Sequence, residues 1–173
     1  GVKIDNEERL RQIVDLRKQK PELKVLLSIG GWGSGRFSEM AANDEYRRAF
    51  AADCDRVVKE FALDGIDIDW EYPTSSMANI SSSPDDTENF TLLMQDIRAA
   101  IGNEKELTLA TVASARYIDF KAILPSVDFV NIMAYDMASA PKHHSALYPS
   151  GHSGHITSDG AVTAHLKAGV PPS

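Results

Sequence analysis

Residues 64–73 constrain the fold of this chain more than any other stretch. Within residues 66–71, apolar and acidic residues alternate strictly, which is the period of a β-strand. The alternation places three carboxylates on one face and three apolar side chains on the other: Asp67, Asp69 and Glu71 opposite Ile66, Ile68 and Trp70. We therefore predict a strand that is buried on one face and carries a row of acids on the other.

The acidic row has two interpretations. It could be the ordinary solvent-facing side of a half-exposed strand, where polar residues alternate with apolar ones. However, Asp is a poor strand residue, and like charges on one face repel each other. Neighbouring carboxylates on one face lie roughly 6.5–7 Å apart at their Cα atoms, close enough for the side chains to share protons. We favour a catalytic site whose carboxyl groups titrate as a coupled set.

Composition excludes several kinds of partner. The chain of 173 residues has 25 acidic and 18 basic residues, which gives a net charge of −7 at pH 7. This balance argues against binding to nucleic acid or to an anionic membrane, and it is compatible with neutral polymers such as sugars. We expect no signal peptide and no membrane span in this sequence. Cys54 is the only cysteine, so we expect a buried thiol and no intramolecular disulfide.

Helices and strands alternate along the chain. We predict strands at residues 23–29, 66–71, 107–113 and 129–135. Helical periodicity between and around them predicts helices at 6–20, 43–63, 87–101, 117–124 and 159–168. This order is typical of βαβ units with a parallel sheet, either in a doubly wound fold or in a (β/α)8 barrel.

Residues at the ends of the predicted strands distinguish these two folds. Trp32, Glu71 and Tyr135 fall at carboxyl ends of strands, where the catalytic residues of barrels collect. A doubly wound fold would carry a phosphate-binding turn after its first strand. The glycine-rich run at 30–35 contains a bulky Trp and is not followed at once by a helix, which argues against nucleotide binding. We therefore predict a single domain over residues 1–173 that forms part of an α/β (β/α)8 TIM barrel.

The acidic strand also resembles the signature of a known enzyme family. Asp64, Asp67, Asp69 and Glu71 match the D-x-x-D-x-D-x-E pattern of family 18 glycoside hydrolases, the retaining chitinases. The other matching runs are Trp70-Glu71-Tyr72-Pro73, Ser28-Ile29-Gly30-Gly31 and Met133-Ala134-Tyr135-Asp136. The resemblance implies that the chain holds strands three to six of the family's barrel with their helices. It also implies a hydrolase acting on chitin or on N-acetylglucosamine oligosaccharides.

Glu71 is our candidate for the general acid. Acid catalysis at a glycosidic bond requires a carboxyl group that stays protonated near neutral pH and reaches the leaving oxygen. Glu71 has the longest side chain of the acidic row and lies nearest the end of the strand. The resemblance implies that the 2-acetamido carbonyl of the substrate is the nucleophile, that Asp69 orients the acetamide N–H, and that Asp67 holds Asp69. It also implies that the Tyr135 hydroxyl donates to the acetamide carbonyl.

Other candidates surround this set. Trp32 offers an aromatic face that can stack on a sugar ring, with simple packing as the alternative. Ser28 faces the same side as the acids and could hydrogen-bond one of them, while glycines beside it allow a close approach of the backbone. We assign substrate contacts to Trp32, Tyr72, Met133 and Asp136, and structural support to Ser28, Gly30, Gly31 and Asp64.

The predicted strand at 129–135 and the loop after it carry more polar residues. By period two, Asn131, Met133 and Tyr135 share one face of that strand, and polar groups facing inward need partners. The loop lacks the helical spacing and the cysteines of a typical zinc site, although it contains His143, His144, His152 and His155. We predict no metal and no cofactor, and a loop that lines the cleft.

The sequence leaves two other functions open. An endo-β-N-acetylglucosaminidase acting on N-linked glycans shares the acidic pattern, although Trp32 and Tyr72 favour the chitinase branch. A non-catalytic chitin-binding lectin of the same fold would usually lack the acid that Glu71 provides. The resemblance implies a secreted or periplasmic protein. Because part of a barrel leaves two strand edges unpaired, we expect the 173-residue chain alone to self-associate and to have little or no chitinase activity.

Overall fold

A computed structural model describes residues 1–172 and shows one parallel sheet. Its strands are β1 (Leu26–Gly30), β2 (Gly65–Asp69), β3 (Glu106–Val112) and β4 (Phe129–Met133). Each strand pairs in parallel with its neighbour in sequence, so the order across the sheet is β1-β2-β3-β4. The predicted parallel sheet is confirmed, and all four carboxyl ends meet at one edge of it.

The helices follow the predicted alternation with shifted ends. They are α1 (Glu7–Asp15), α2 (Phe37–Ala41), α3 (Asp44–Glu60), α4 (Asp86–Ile101), α5 (Phe120–Ile123) and α6 (Ser158–Lys167), with 3-10 turns at Leu16–Lys18 and Leu124–Ser126. The side chains that cap helices by accepting a backbone N–H are Asn6, Asn43, Asp119 and Thr157. Helix α2 was not predicted, because five residues are too few to show a periodic pattern. Within residues 1–172, none of these helices is long and apolar enough to span a membrane.

One hydrophobic core covers the face of β2 that opposes the acids. Ile66, Ile68 and Trp70 are at most 2% exposed, as their alternation predicts. The Trp70 ring stacks on Phe37 at a centroid distance of 5.4 Å and meets the edge of Phe90, also at 5.4 Å. Helices α3 and α4 pack against each other and complete this core with buried apolar residues that include Cys54, Val57, Leu93, Met94 and Ile97.

The strand β4 ends earlier than the sequence predicts. The N–H of Ala134 donates back to the carbonyl of Ile132 at 2.9 Å, and this tight turn takes the chain out of the sheet after Met133. Tyr135 therefore lies in the following loop, and the prediction that it shares a strand face with Asn131 is wrong. Its position is still at the carboxyl edge of the sheet.

Candidate active site

The acidic row lies at the carboxyl edge of the sheet, with a strand on each side of it. Asp67 and Asp69 belong to β2, and Glu71 follows two residues after the strand ends. The register pairs Asp67 with Ser28 of β1 and with Thr108 of β3. Because these three positions point to the same face of a parallel sheet, their side chains can meet.

Asp67 is held by donors from three strands. Its Oδ2 accepts a hydrogen bond from Ser28 Oγ at 2.7 Å. Its Oδ1 accepts from Thr108 Oγ1 at 2.6 Å and from Asn131 Nδ2 at 3.2 Å. The predicted hydrogen bond between Ser28 and an acid of the adjoining strand is confirmed. Three donors on three strands thus fix the orientation of the Asp67 carboxyl group.

Thr108 is a partner of Asp67 that was not predicted from the sequence. Thr108 is completely buried between Leu107 and Leu109, in a strand that is otherwise mostly apolar. A buried hydroxyl in such a strand needs a hydrogen-bond partner, and this requirement could have marked Thr108 as a site residue. The period of two places Thr108 and Thr111 on opposite faces of β3, but it does not show which of the two faces carries the acids. Thr111 lies on the other face, where it contacts His165 Nε2 at 2.8 Å.

Asp69 lies next to Asp67 on the same face but has a different environment. Burial raises its pKa to about 6, with further contributions from the negative charges of Glu71 and then Asp67. Its Oδ1 is buried and accepts no hydrogen bond from residues 1–172. The oxygens of Asp67 accept hydrogen bonds from three other donors, and its negative charge contributes to the raised pKa of Asp69. That Asp67 holds Asp69 stays a prediction.

Gly30 and Gly31 bring the end of β1 against the backbone of β2. Gly30 has φ +125°, and a Cβ atom there would lie 2.0 Å from the carbonyl oxygen of Asp69. The N–H of Gly31 donates to that same carbonyl at 2.8 Å. Any side chain at position 30 would separate the two strands beside Asp69.

A cavity of about 620 Å³ opens beside Glu71. Six of the predicted site residues line it, namely Trp32, Glu71, Tyr72, Met133, Tyr135 and Asp136. The sequence analysis did not identify the remaining lining residues, which are Val112, Ala113, Met137 and Ile156. The last two belong to the loop that we expected to line the cleft, and the structure confirms that expectation.

Aromatic rings form one wall of this cavity. Trp32 is 61% exposed, and its ring meets the edge of the Tyr72 ring at a centroid distance of 6.3 Å. Tyr72 in turn stacks on Tyr117, which the sequence analysis missed, at 5.1 Å and an interplanar angle of 13°. Burial and the charge of Glu71 raise the pKa of the Tyr72 hydroxyl. Exposed aromatic faces beside a carboxyl group can stack on sugar rings.

Tyr135 lies at the edge of the cavity with its hydroxyl protonated. The side chain is 54% exposed. Its pKa is raised by partial burial and then by the negative charges of Asp69, Glu71 and Asp136. A phenol that keeps its proton near three carboxylates is available as a hydrogen-bond donor.

The loop after β4 folds back on Asp136. The N–H of Asp136 donates to His144 Nε2 at 3.2 Å, and the N–H of Met137 donates to the His144 carbonyl at 3.0 Å. The rings of His143 and His152 stack with centroids 5.9 Å apart. In the described part of the chain, up to residue 172, no group of three or more His, Cys, Asp or Glu residues is arranged to hold a metal ion.

Asp64 lies at the opposite end of β2 from the other acids of the pattern. Its Oδ2 accepts hydrogen bonds from Arg17 Nη2 at 2.5 Å and from the N–H of Val25 at 2.6 Å. Its own N–H donates to the Val25 carbonyl at 2.8 Å. These contacts join the amino ends of β1 and β2, so the local role of Asp64 is to support the sheet.

A parallel α/β sheet with a carboxylate row and an aromatic-lined cavity at its carboxyl edge is the arrangement of a barrel-type glycosidase. The chain belongs to the glycosyl hydrolases family 18, because the model of that family matches residues 2–173. Domains of this family are (β/α)8 barrels, so the four-stranded sheet is part of such a barrel and the predicted fold class is confirmed.

Relatives and solved structures agree with this assignment. The chain is 37% identical to chitinase A1 of Niallia circulans and 35% identical to chitotriosidase-1 of Mus musculus, over 94% and 99% of its length. It matches the chitinase domain of the spore coat protein CotE from Clostridium difficile with a TM-score of 0.93 and 39% identity, over 98% of this chain. The chain spans 24% and 41% of the two relatives and 52% of the CotE structure.

Proposed function

We propose that the protein hydrolyses β-1,4 bonds between N-acetylglucosamine units of chitin and its oligosaccharides. The observation that carries this proposal is the row Asp67, Asp69 and Glu71 beside a cavity with an aromatic wall. The names of the similar proteins, which are chitinases and a chitotriosidase, support the substrate class.

Glu71 acts as the acid and then as the base of a retaining reaction. It lines the cavity and follows the end of β2, so its carboxyl group can reach a bound glycosidic oxygen. In the first step the acetamide carbonyl oxygen of the substrate bonds to C1, the glycosidic C–O bond breaks, and Glu71 gives its proton to the leaving oxygen. In the second step Glu71 takes a proton from the water that opens the oxazolinium ion at C1.

Asp69 orients the acetamide group. Its buried Oδ1 has no donor in residues 1–172, so an acetamide N–H placed beside it would satisfy that oxygen. The positive charge of the oxazolinium ion would favour ionised Asp69, whereas burial in the free protein favours the protonated form. The proton affinity of Asp69 thus falls as positive charge develops on the substrate.

The remaining site residues position the substrate. The Tyr135 hydroxyl donates a hydrogen bond to the acetamide carbonyl while that oxygen attacks C1. Trp32 and Tyr72 provide aromatic faces for the sugar rings, and Met133 and Asp136 complete the cavity. Three donors hold the Asp67 carboxyl group in place next to Asp69.

Substitution of the acid tests this proposal. Glu71→Gln keeps the size of the side chain but cannot donate the proton, so we expect chitin-oligosaccharide hydrolysis by an active enzyme containing this chain to fall by about 10²–10⁴-fold. Binding of the oligosaccharide should remain. The matched control is Glu106→Gln at the amino end of β3, where the carboxylate pairs with Lys24 and should not affect turnover. Retention of most of the activity by Glu71→Gln would remove Glu71 from this role.

A second candidate function is the release of single N-acetylglucosamine units. A family 18 N-acetylglucosaminidase from Paenibacillus barengoltzii matches 98% of this chain with a TM-score of 0.89 and 38% identity. Product analysis on chitin oligosaccharides and on N-glycosylated proteins distinguishes the alternatives. Release of monomers would favour this second candidate, and cleavage within N-glycans would favour an endo-β-N-acetylglucosaminidase. Binding without any cleavage would indicate a lectin.

The edges of the sheet bear on the behaviour of the 173-residue chain by itself. Strands β1 and β4 each pair on one side only within residues 1–172, and Phe129 of β4 is 48% exposed. Open edges of parallel strands favour pairing with another chain. Self-association and little or no chitinase activity are therefore expected for this product. Light scattering and a fluorogenic chitobioside assay test this expectation, and an active, monodisperse monomer would contradict it.

The location of the substrate suggests where the protein works. Chitin is an insoluble polymer, so an enzyme that cleaves it acts outside the cell, and one that cleaves its soluble oligosaccharides can also act in the periplasm. We therefore propose that the protein is secreted or periplasmic. Fractionation of the producing cells tests this part of the proposal, and enzyme confined to the cytoplasm would contradict it.

A further inference from the structure

Asp86 is a completely buried carboxylate that the proposed reaction does not use. It is the first residue of helix α4, and its exposed fraction is 0%. No Lys, Arg or His of residues 1–172 forms an ion pair with it, although such pairs are common elsewhere in the described chain. A buried charge without a cation is costly unless hydrogen bonds compensate for the loss of water.

Three donors from two other segments satisfy Asp86. Its Oδ1 accepts from Ser38 Oγ of α2 at 2.6 Å. Its Oδ2 accepts from the backbone N–H of Thr74 at 3.0 Å and from that of Ser83 at 2.8 Å. Asp86 also lies at the positive end of the α4 dipole, which further stabilises a negative charge. One carboxylate thus fixes both ends of the loop between β2 and α4 to helix α2.

The contact with Thr74 is the one that concerns the reaction. Thr74 follows Glu71 by three residues, and its backbone has φ +63°. A β-branched residue in the left-handed region is strained, and such a conformation persists only where the surrounding structure enforces it. The hydrogen bond from the Thr74 N–H to Asp86 holds this conformation at the point where the Glu71 segment turns away from the sheet.

The same helical turn also reaches the aromatic wall of the cavity. Thr87 Oγ1 donates to the carbonyl of Tyr117 at 2.9 Å. Tyr117 has φ +74° and stacks on Tyr72, the residue directly after Glu71. The first turn of α4 therefore contacts the segment after Glu71 directly through Asp86 and indirectly through Tyr117.

We propose that Asp86 is a positioning residue that fixes the Glu71-Tyr72 segment in the orientation required for proton transfer. This inference rests on the proposed function, since it assumes that Glu71 is the acid. Asp86 touches no substrate, and it acts through the Thr74 N–H. Small displacements of a reacting group can reduce turnover by about 10²-fold, so the loss of this hydrogen bond should appear in kcat.

Two substitutions of Asp86 separate geometry from charge. In Asp86→Asn, the amide oxygen can accept from the N–H groups of Thr74 and Ser83, and the NH₂ group can donate to Ser38 Oγ, which also accepts hydrogen bonds. The geometry is kept and the charge is lost. Asp86→Glu keeps the charge, but its extra methylene displaces the carboxylate by roughly 1.5 Å. A positioning role predicts higher kcat for Asn than for Glu.

The experiment measures kcat, KM and thermal stability for variants of an active enzyme containing this chain. Asp86→Ala should lower kcat by about tenfold or more with a smaller change in KM, and Asp86→Asn should stay within about threefold of the wild type. The control is Asp128→Ala, which removes another carboxylate that accepts a backbone N–H, at the opposite end of the sheet. It should lower the melting temperature while leaving kcat unchanged at temperatures where the protein is folded.

The outcomes distinguish this inference from the proposed function. If Asp86→Ala and Asp128→Ala have the same kcat, the positioning role of Asp86 is wrong even when Glu71→Gln is inactive. If Glu71→Gln is active, Glu71 is not the acid, and the part of the proposed function on which this inference rests is wrong. If Asp86→Ala does not fold, the Asn and Glu variants decide, and a kcat for Glu equal to or above that for Asn would overturn the inference.

Discussion

The two ends of the parallel sheet differ in how they treat carboxylates. At the amino end, Asp64 and Asp128 each accept a hydrogen bond from a backbone N–H at or just before the start of a neighbouring strand, and each pair with an arginine. At the carboxyl end, Asp67, Asp69 and Glu71 have no ion pair with any cation of residues 1–172. Paired charges stabilise a fold, whereas unpaired carboxylates remain available for proton transfer.

The amino end uses the same clamp twice. Arg17 Nη2 contacts Asp64, and its other nitrogens donate to the carbonyls of Leu23 and Ala62. Arg98 Nη2 contacts Asp128 in the same way, and its other nitrogens donate to backbone carbonyls at Ser126, Gly102 and Lys105. Each arginine thus joins a connecting loop to the start of a strand. The comparison indicates that stability and chemistry are separated along the strands, as is typical of barrels.

After Glu71→Gln, the largest effect of a single substitution at the carboxyl end is expected for Tyr135→Phe. Tyr135→Phe removes only the hydroxyl that we propose as a donor to the acetamide carbonyl. We expect the activation free energy of hydrolysis to rise by roughly 2–4 kcal/mol, the range for losing one such donor. The free energy of unfolding should not change, because the side chain is more than half exposed. Steady-state kinetics and thermal unfolding measure both, and unchanged turnover would contradict the role of Tyr135.

At the amino end of the sheet we expect the reverse, a loss of stability without a change in turnover. Arg98→Ala removes hydrogen bonds to several carbonyls and leaves Asp128 without its cation. We expect the free energy of unfolding to fall by about 2 kcal/mol, since the arginine side chain is mostly buried and its partner is partly exposed. Denaturant unfolding measures this change. A drop in kcat of the folded enzyme would show that the two ends are not independent.

The smallest effect is a gain in stability at Asp69. Its pKa of about 6 lies above the ordinary value of 3.8, so folding favours the protonated form, and stability falls as pH rises from about 4 to about 6. Asp69→Asn removes that penalty. After a reduction for solvent screening at this half-buried site, we expect about 1 kcal/mol of added stability at pH 7.5. We expect none near pH 3.5, where Asp69 is protonated in both states.

Thermal unfolding across this pH range is the appropriate measurement for Asp69→Asn. A gain of about 1 kcal/mol corresponds to a rise of about 2–4 °C in melting temperature for a domain of this size. Hydrolysis should be impaired at every pH, because the amide cannot carry the negative charge. If the difference in stability between Asp69→Asn and the wild type is the same at both pH values, the Asp69 pKa is not raised by folding.

Local patterns in the sequence predicted those features that depend on one strand or on two neighbouring strands. The alternation around Asp67 identified the strand, its buried face and its acidic face. The hydrogen bond from Ser28 was also predictable, because a strand residue on the same face of a parallel neighbour has few other places to point. Gly30 indicated a close approach of the backbone, and the structure shows that approach to the carbonyl of Asp69.

Features that depend on contacts between distant segments were not predictable in this way. The stacking of Tyr117 on Tyr72 and the hydrogen bonds of Asp86 join loops and helices whose relative placement no periodic pattern contains. Thr108 was missed because both threonines of β3 look alike until the register assigns their faces. Tyr135 was assigned to the strand because its apolar neighbours extend the strand pattern past the turn at Ala134.

The most direct test of the central claim compares two substrates that differ only at carbon 2. The account requires the 2-acetamido carbonyl as nucleophile, held by Asp69 and Tyr135 while Glu71 donates the proton. An active enzyme containing this chain should therefore cleave a fluorogenic chitobioside, should not cleave the matching cellobioside, and should be inhibited by a thiazoline mimic of the oxazolinium ion. Rapid cleavage of the cellobioside would contradict the account, because that substrate has a hydroxyl in place of the acetamido group.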